Sequence, residues 1–498
     1  MTLTLHSKDM SASEVVSPTR DSTLQLSRQE MRALGEKVLN LILDHFEKLP
    51  EKTVTTSEAR TKLEKIFREP VPELPSSFES VFAQVRDDVF GNIMHQDHPR
   101  CFSFIPGPSN FVSVMADALA SAFNVISADW LEASGPSQVE LVTIDWLRQL
   151  CGFPASAGGL FVSGGSMANL TALGVARHVK LADQTANAVI YCSDQTHSSI
   201  DRAGRILGFG PDQICKLPCD ENYRLPVAAL RRQIQADRAA DRIPFCVIAN
   251  AGTTNTGSVD PLAELASLGK EENLWLHVDG AYGAAAVLCN QGQKLLEGLG
   301  QADSLILDPH KWLFQPYEMG CVLVRDMGWL KEAYCVRPEY LADVHSIGSE
   351  IHYCDYGIQL TRSFRALKLW MSLKVFGLAA FREAVMYGIE TAEFAESLLR
   401  KSSHWEITSS AQLGMLTFRY RLPLPQGGSD LGGSIENAED TLNQCLATEI
   451  IRDGYASLTT TKLRGRTVLR MCSINPRTTE EDIRNTLARL EVIAAQQL

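Results

Sequence analysis

The chain has 498 residues, 45% of them hydrophobic, enough for about two or three domains around a large core. Its formal net charge of −12 argues against a nucleic-acid backbone as a partner, and no apolar run is long enough to span a bilayer. Twelve cysteines without a paired framework point to a reducing, cytoplasmic setting. The first stretch, MTLTLHSKDMSASEVVSPTRDST, reads as a polar tail that lacks the apolar core of a signal peptide. Residues 27–48, SRQEMRALGEKVLNLILDHFEK, carry apolar positions at helical spacing. Such an amphipathic helix needs a surface to cover, in its own chain or a partner's. PVPELPSSF is a proline-rich connector.

From about Cys101 to Trp370 the texture changes. The short apolar runs AVIYCS, FCVIANAG, LWLHVDG, SLILDPH and GCVLVRD alternate with helical stretches. Continuous apolar runs of this kind predict strands buried on both faces of a mainly parallel sheet, hence an α/β domain. After about Met371 come a helical stretch, the runs LGMLTFRYRL and TVLRMCSINP, and a last helix from Thr478. That pattern predicts a smaller α+β domain. The expected division is 1–107 (tail and helical segment), 108–370 (large domain) and 371–498 (small domain). Cys215 and Cys219 lack a matching second pair, so no metal site is expected there.

In parallel sheets, ligands sit beyond the carboxyl ends of the strands. The polar residues that follow the apolar runs are therefore candidates for one shared site: His197, Thr253 and Thr254, Asp279, and Lys311. In SLILDPHKWLF, Lys311 stands between His310 and an apolar cluster. Burying an ammonium costs several kcal/mol unless it is paired or loses its charge. Lys311 either snorkels to water or is covalently engaged. In GLFVSGGSMANLTAL a strand precedes Ser163-Gly164-Gly165-Ser166 and a helix follows. Backbone N–H groups at such a turn bind phosphate well; a serine-capped glycine turn is the plainer alternative. One ligand fits these pieces together. It has a phosphate for the Gly-Ser turn, a flat ring for His197, a ring nitrogen for Asp279 and an aldehyde for Lys311, which describes pyridoxal 5'-phosphate.

The stretch from about His98 to Gly377 resembles the pyridoxal-phosphate-dependent group II amino-acid decarboxylases, the aromatic-amino-acid, histidine and glutamate group. DPHKW is similar to that family's lysine signature, and HVDGAYG places Asp279 32 residues before Lys311. DQTHSS, SGGS and RSFRALKLW are similar to further family motifs. The resemblance implies the fold-type-I architecture and a homodimer whose subunits share active sites, with N-terminal helices that wrap the partner. It implies that Lys311 holds the cofactor as a Schiff base, Asp279 faces the ring nitrogen and His197 stacks on the ring. Gly165 and Ser166 would bind phosphate with His310 nearby, and Thr254 and Ala281 would line the cofactor. Decarboxylation would run through a quinonoid, and Tyr340, in the Pro-x-Tyr-Leu of VRPEYLADVH, would return the proton to Cα. Animal members carry Asn at the position of Asp308. An anion beside phosphate is unfavourable, so Asp308 is expected to point elsewhere.

The implied substrate is an L-amino acid with an aromatic side chain. Phe104, Ile105 and Pro106 in HPRCFSFIPGPSN would form an apolar wall, Ile126 would belong to the partner side, and Thr361 would narrow the ring pocket. Tryptophan, tyrosine, dopa, phenylalanine and histidine all remain open as substrates. The alternatives within the fold are decarboxylation-dependent oxidative deamination to an aldehyde, a histidine- or glutamate-type decarboxylase, and an aminotransferase or desulfurase. A catalytically silent dimeric binding protein is the alternative outside enzymes. Nucleic acid and membrane are not expected as partners.

Overall fold

The helix expected from Ser27 onward spans Arg28–Lys48 in the computed structural model, which describes residues 24–336, 339, 350–422 and 434–497. Ser27 starts it with a capping box: its hydroxyl accepts from Glu30 N–H while the Glu30 carboxylate accepts from Ser27 N–H. None of its residues is buried within the chain, and Leu39 and Leu43 are exposed. Among the described residues the amphipathic stripe is only half covered: Leu34, Val38, Leu41, Ile42 and Phe46 are half-buried, with Phe46 against Phe111 and Arg477.

The large sheet has seven strands: β1 (Gly158–Val162), β2 (Ala188–Ser193), β3 (Ile214–Leu217), β4 (Ile243–Asn250), β5 (Trp275–Asp279), β6 (Ser304–Leu307) and β7 (Gly320–Val324). Their order is β1-β7-β6-β5-β4-β2-β3. All neighbours are parallel except β7, which runs antiparallel to both β1 and β6. Each of the five apolar runs forms a buried strand because both faces are covered. Tyr191, Val247, Val278, Leu305 and Leu323 face one core, and Ile190, Ile248, Ile306 and Val322 face the other. That alternation accounts for runs without polar interruptions. β3 escaped sequence reading because it is short and partly exposed at the sheet's edge.

Register places the site. Asn250 of β4 pairs with Asp279 of β5, and Asp279 pairs with Ile306 of β6. Three parallel strands thus end at one level, and the loops carrying Thr254, Asp279 and Lys311 leave from the same edge.

The second sheet has the order β10-β11-β9-β8, with β8 (Trp405–Gln412), β9 (Met415–Tyr420), β10 (Thr459–Leu463) and β11 (Arg466–Cys472). β9 and β11 are the two apolar runs expected there. β8 and β10 are edge strands rich in Ser and Thr, whose half-exposed faces need no apolar run. The helix Glu480–Gln497 covers this sheet's core through Ile483, Leu487 and Leu490. The helix Ala366–Leu399, broken at Gly377 (φ 74°), links the two sheets, so position 370/371 lies inside a helix. No helix among the described residues is long and apolar enough to cross a membrane.

Candidate active site

The carboxyl edge of β4, β5 and β6 opens into a cleft of about 290 Å³. Lys311, Asp279, His197, Thr254, Ala281, His310, Gly165 and Ser166 all line it, together with Ile105. Every cofactor residue expected from the sequence therefore meets in one place, although they come from five separate loops.

The phosphate turn follows β1. The helix Gly165–Leu181 begins at Gly164, which has no side chain to cap it, so its first N–H groups face the cleft uncapped. Glycine is needed here for space. A Cβ on Gly164 would lie 3.1 Å from the His310 ring, and one on Gly165 would lie 2.8 Å from Asp308 Oδ2.

Asp279 ends β5 and is buried. Its Oδ1 accepts from Ala281 N–H at 3.1 Å and its Oδ2 from Asn169 Nδ2 at 3.0 Å. Ala281 in turn accepts from Asp308 N–H at 2.8 Å, which ties the loop after β5 to the loop after β6. His197 sits at the exposed mouth of the cleft. Its Nδ1 lies 2.7 Å from the Ser199 hydroxyl and accepts from Ser199 N–H at 3.2 Å. His310 is largely buried, and its Nδ1 accepts from Met319 N–H at 3.0 Å. Burial pushes the His310 imidazole below its usual range, so it stays neutral with its proton on Nε2.

Lys311 follows the turn after β6. Its side chain is 23% exposed, and Nζ lies 2.9 Å from Asp308 Oδ2. The lysine therefore opens into the cleft instead of snorkelling to the outer surface. The expectation that Asp308 points elsewhere is corrected here. Its carboxylate is buried beneath Gly165, held there by the ammonium of Lys311, with His310 Nε2 at 3.6 Å. The contact with Lys311 is an ion pair by distance without hydrogen-bond alignment, and neither Asp308 oxygen has a hydrogen-bond partner among the described residues. A cation beside it offsets the cost of a buried carboxylate.

Thr254 lines the cleft, whereas Thr253 is turned inward, its hydroxyl 2.7 Å from that of Thr256. Arg470 of β11 clamps this region, donating to Thr254 O at 2.7 Å and to Phe104 O at 2.6 Å. Of the expected substrate wall, Ile105 reaches the cleft and Pro106 is buried beside it. Phe104 (φ 55°) is 54% exposed, Ile126 is 40% exposed, and Thr361 is also exposed; none of the three lines the cleft of a single chain. Tyr340 lies outside the described residues.

Sequence reading missed Asn169, Ser199, Asn250 and Glu318, which also line the cleft. A signal for Asn169 was present. It stands four residues after Gly165 on the same helix, one turn down the face that begins the phosphate turn. Glu318 is held by Arg365 at 3.0 Å, and the buried Lys368 donates to Pro316 O and Glu318 O at 3.2 Å each. Those contacts join two distant segments, which no local pattern could announce.

A lysine amine, a carboxylate at a strand end and an uncapped glycine turn that share one cleft have the donor set pyridoxal phosphate requires. The fold and site thus define a fold-type-I pyridoxal-phosphate enzyme. Residues 61–421 match the family model described as the pyridoxal-dependent decarboxylase conserved domain. The chain is 48% identical over 474 residues to an aromatic-L-amino-acid decarboxylase of Bacillus atrophaeus, covering 95% of this chain and 97% of that one. It is 30% identical to a tyrosine decarboxylase of Oryza sativa subsp. japonica, covering 93% of this chain and 90% of that one. It superimposes with a TM-score of 0.89 on the crystal structure of Oryza sativa TDC with PLP and tryptamine, at 27% identity, covering 96% of this chain and all of that one. The chain belongs to the pyridoxal-dependent decarboxylase family. It is a carboxy-lyase that uses pyridoxal 5'-phosphate to decarboxylate an amino acid.

Proposed function

We propose that the protein converts an aromatic L-amino acid into its amine and carbon dioxide. The observation that carries the reading is the meeting of Lys311, Asp279, His197 and the Gly164–Ser166 turn in one cleft with Ile105 as an apolar wall. The name of the Bacillus relative supports the aromatic class. Bound pyridoxal phosphate supplies an electron sink for the pair left on Cα when carbon dioxide departs. Lys311 would hold the cofactor covalently through its amine, and Asp279, whose direction is fixed by its two acceptor contacts at the end of β5, would pair with the ring nitrogen. The uncapped N–H groups at Gly165 and Ser166 would bind the phosphate. Tyr340 is kept as the donor that returns the proton to Cα, on the motif VRPEYLADVH alone.

The same reading makes the protein a cytoplasmic homodimer that shares its sites. Uncovered apolar side chains support the dimer: Leu39 and Leu43 on the N-terminal helix, Phe123 (78% exposed) and Ile126 after the helix Phe111–Ala122, and Leu131 at the start of the helix Trp130–Leu150. A second subunit would bring Phe104 and Ile126 under cover.

The test uses purified protein loaded with pyridoxal phosphate and offered tryptophan, tyrosine, dopa, phenylalanine, histidine and glutamate, with carbon dioxide, amine and peroxide quantified together. Carbon dioxide matched by an aromatic amine supports the proposal and names the substrate. Carbon dioxide matched by peroxide would replace it with oxidative deamination, and turnover of histidine or glutamate alone would remove the aromatic class. Lys311→Ala should abolish both the cofactor's absorbance band and turnover.

A further inference from the structure

A buried chain of side chains runs beneath the cleft from Trp275 to His197. Trp275 Nε1 donates to Ser304 Oγ at 2.8 Å. Ser304 Oγ lies 2.8 Å from His277 Nδ1, and His277 Nε2 lies 2.8 Å from Asn169 Oδ1. Asn169 Nδ2 donates to Asp279 Oδ2 at 3.0 Å and to Ser199 Oγ at 2.9 Å. Ser199 Oγ lies 2.7 Å from His197 Nδ1. Trp275, Ser304, His277, Asn169 and Ser199 are all at least nine-tenths buried.

The directions in this chain follow from the Asp279 carboxylate and from the Ser199 N–H that points at His197. Indole N–H is only a donor, and a carboxylate is only an acceptor. Trp275 fills one acceptor site on Ser304 and leaves a second open, so this end alone does not orient the Ser304 proton. The carboxylate end does: Asp279 takes an Asn169 amide hydrogen, which turns Asn169 Oδ1 toward His277 Nε2 and makes that nitrogen the donor. His277 is neutral, held down to about 4 by burial, so its Nδ1 is bare and accepts from the Ser304 hydroxyl. The second Asn169 amide hydrogen goes to Ser199. Ser199 N–H arrives at His197 Nδ1 at 3.2 Å and marks that nitrogen as an acceptor, so the Ser199 hydroxyl, which takes the Asn169 amide hydrogen on one lone pair, gives its own proton to Nδ1.

We propose that Asn169 is a positioning residue that joins the two groups flanking the cofactor ring. Its one amide holds Asp279 and anchors Ser199, whose hydroxyl and N–H together hold His197 as the tautomer with a bare Nδ1 and a protonated Nε2. His197 thus meets the ligand as a hydrogen-bond donor and not as a base. The inference rests on the cofactor site and not on the choice of substrate, and its main readout needs no turnover.

The test is nitrogen NMR of the full-length protein with 15N-labelled histidine, with and without pyridoxal phosphate, His197 being identified by its loss in His197→Gln. The expected pattern for His197 is a protonated Nε2 and an unprotonated Nδ1. Asn169→Ala should introduce a measurable Nδ1–H form of His197 and weaken cofactor affinity roughly tenfold, as expected for loss of one hydrogen bond to a charged acceptor. Ser199→Ala should disturb the His197 tautomer in the same way while changing cofactor affinity less, and Ser199→Thr, which keeps the hydroxyl, should restore the native pattern. A protonated Nδ1 in the native protein would overturn the proposal. So would a native tautomer that survives both Asn169→Ala and Ser199→Ala, because Ser199 N–H alone would then set it. Should Asn169→Ala fail to fold, the Ser199 pair decides the matter.

Discussion

Arg362→Met should be among the costliest single substitutions in the large domain. Arg362 and Glu140 form an ion pair in which the two side chains are 1% and 0% exposed. The guanidinium donates to both carboxylate oxygens, at 2.5 and 3.2 Å, and to Ser127 O at 2.8 Å and Phe161 O at 2.9 Å. It also stacks 4.7 Å from the Tyr353 ring centre. These contacts pin the segment that carries Thr361 to β1 and to the helix Trp130–Leu150. Methionine keeps much of the volume but strands the Glu140 carboxylate with one donor, Phe161 N–H at 2.9 Å. Removing one partner of a buried pair typically costs about 3–5 kcal/mol, and two carbonyls lose their donor as well. Urea denaturation followed by tryptophan fluorescence should show a loss of that order. The double variant Glu140→Gln/Arg362→Met should recover about half of it, since no uncompensated charge stays buried. A single-variant cost below about 1 kcal/mol, or a double variant as unstable as the sum of its parts, would refute this account of the pair.

Two histidines set an acid limit on stability. His98 Nδ1 accepts from Arg100 N–H at 3.0 Å and its Nε2 donates to Lys52 O at 3.2 Å, while His277 lies in the chain beneath the cleft. Burial holds both to about 4, against about 6.5 for an unfolded histidine. With the folded value depressed, the unfolded chain takes up protons first. Their contribution is therefore complete above about pH 6.5 and is lost as pH falls towards 4, at up to about 3 kcal/mol each. Unfolding free energies measured at pH 7, 5.5 and 4.5 should decline in that window, and His98→Gln should flatten the decline; a flat native profile would rule the coupling out. Gly165→Ala places a methyl 2.8 Å from Asp308 Oδ2 in the phosphate turn. It should weaken cofactor binding about tenfold or more, roughly 1.4 kcal/mol, in an absorbance titration, and unchanged affinity would mean that the phosphate sits elsewhere.

The strands of the large sheet were legible because a segment buried on both faces must be apolar throughout, and the composition of AVIYCS or SLILDPH carries that demand locally. That the candidate residues share one cleft was legible for a related reason. Parallel strands that end at one level bring their following residues together, so Asp279 and Lys311 could be assigned to one site from their places after two such runs. Polar edge strands such as β8 and β10 carry no comparable signal. What only the tertiary structure decided are the contacts between residues far apart in the chain. Asn169 meets Asp279 across 110 positions, and Arg470 meets Thr254 across 216. The buried orientation of Asp308 follows from the amine of Lys311 standing 2.9 Å away, a balance of charges that residue type alone pointed the wrong way on. A sequence lists donors and acceptors, but which donor is spent on which acceptor depends on where burial has removed water, and the packed fold determines that.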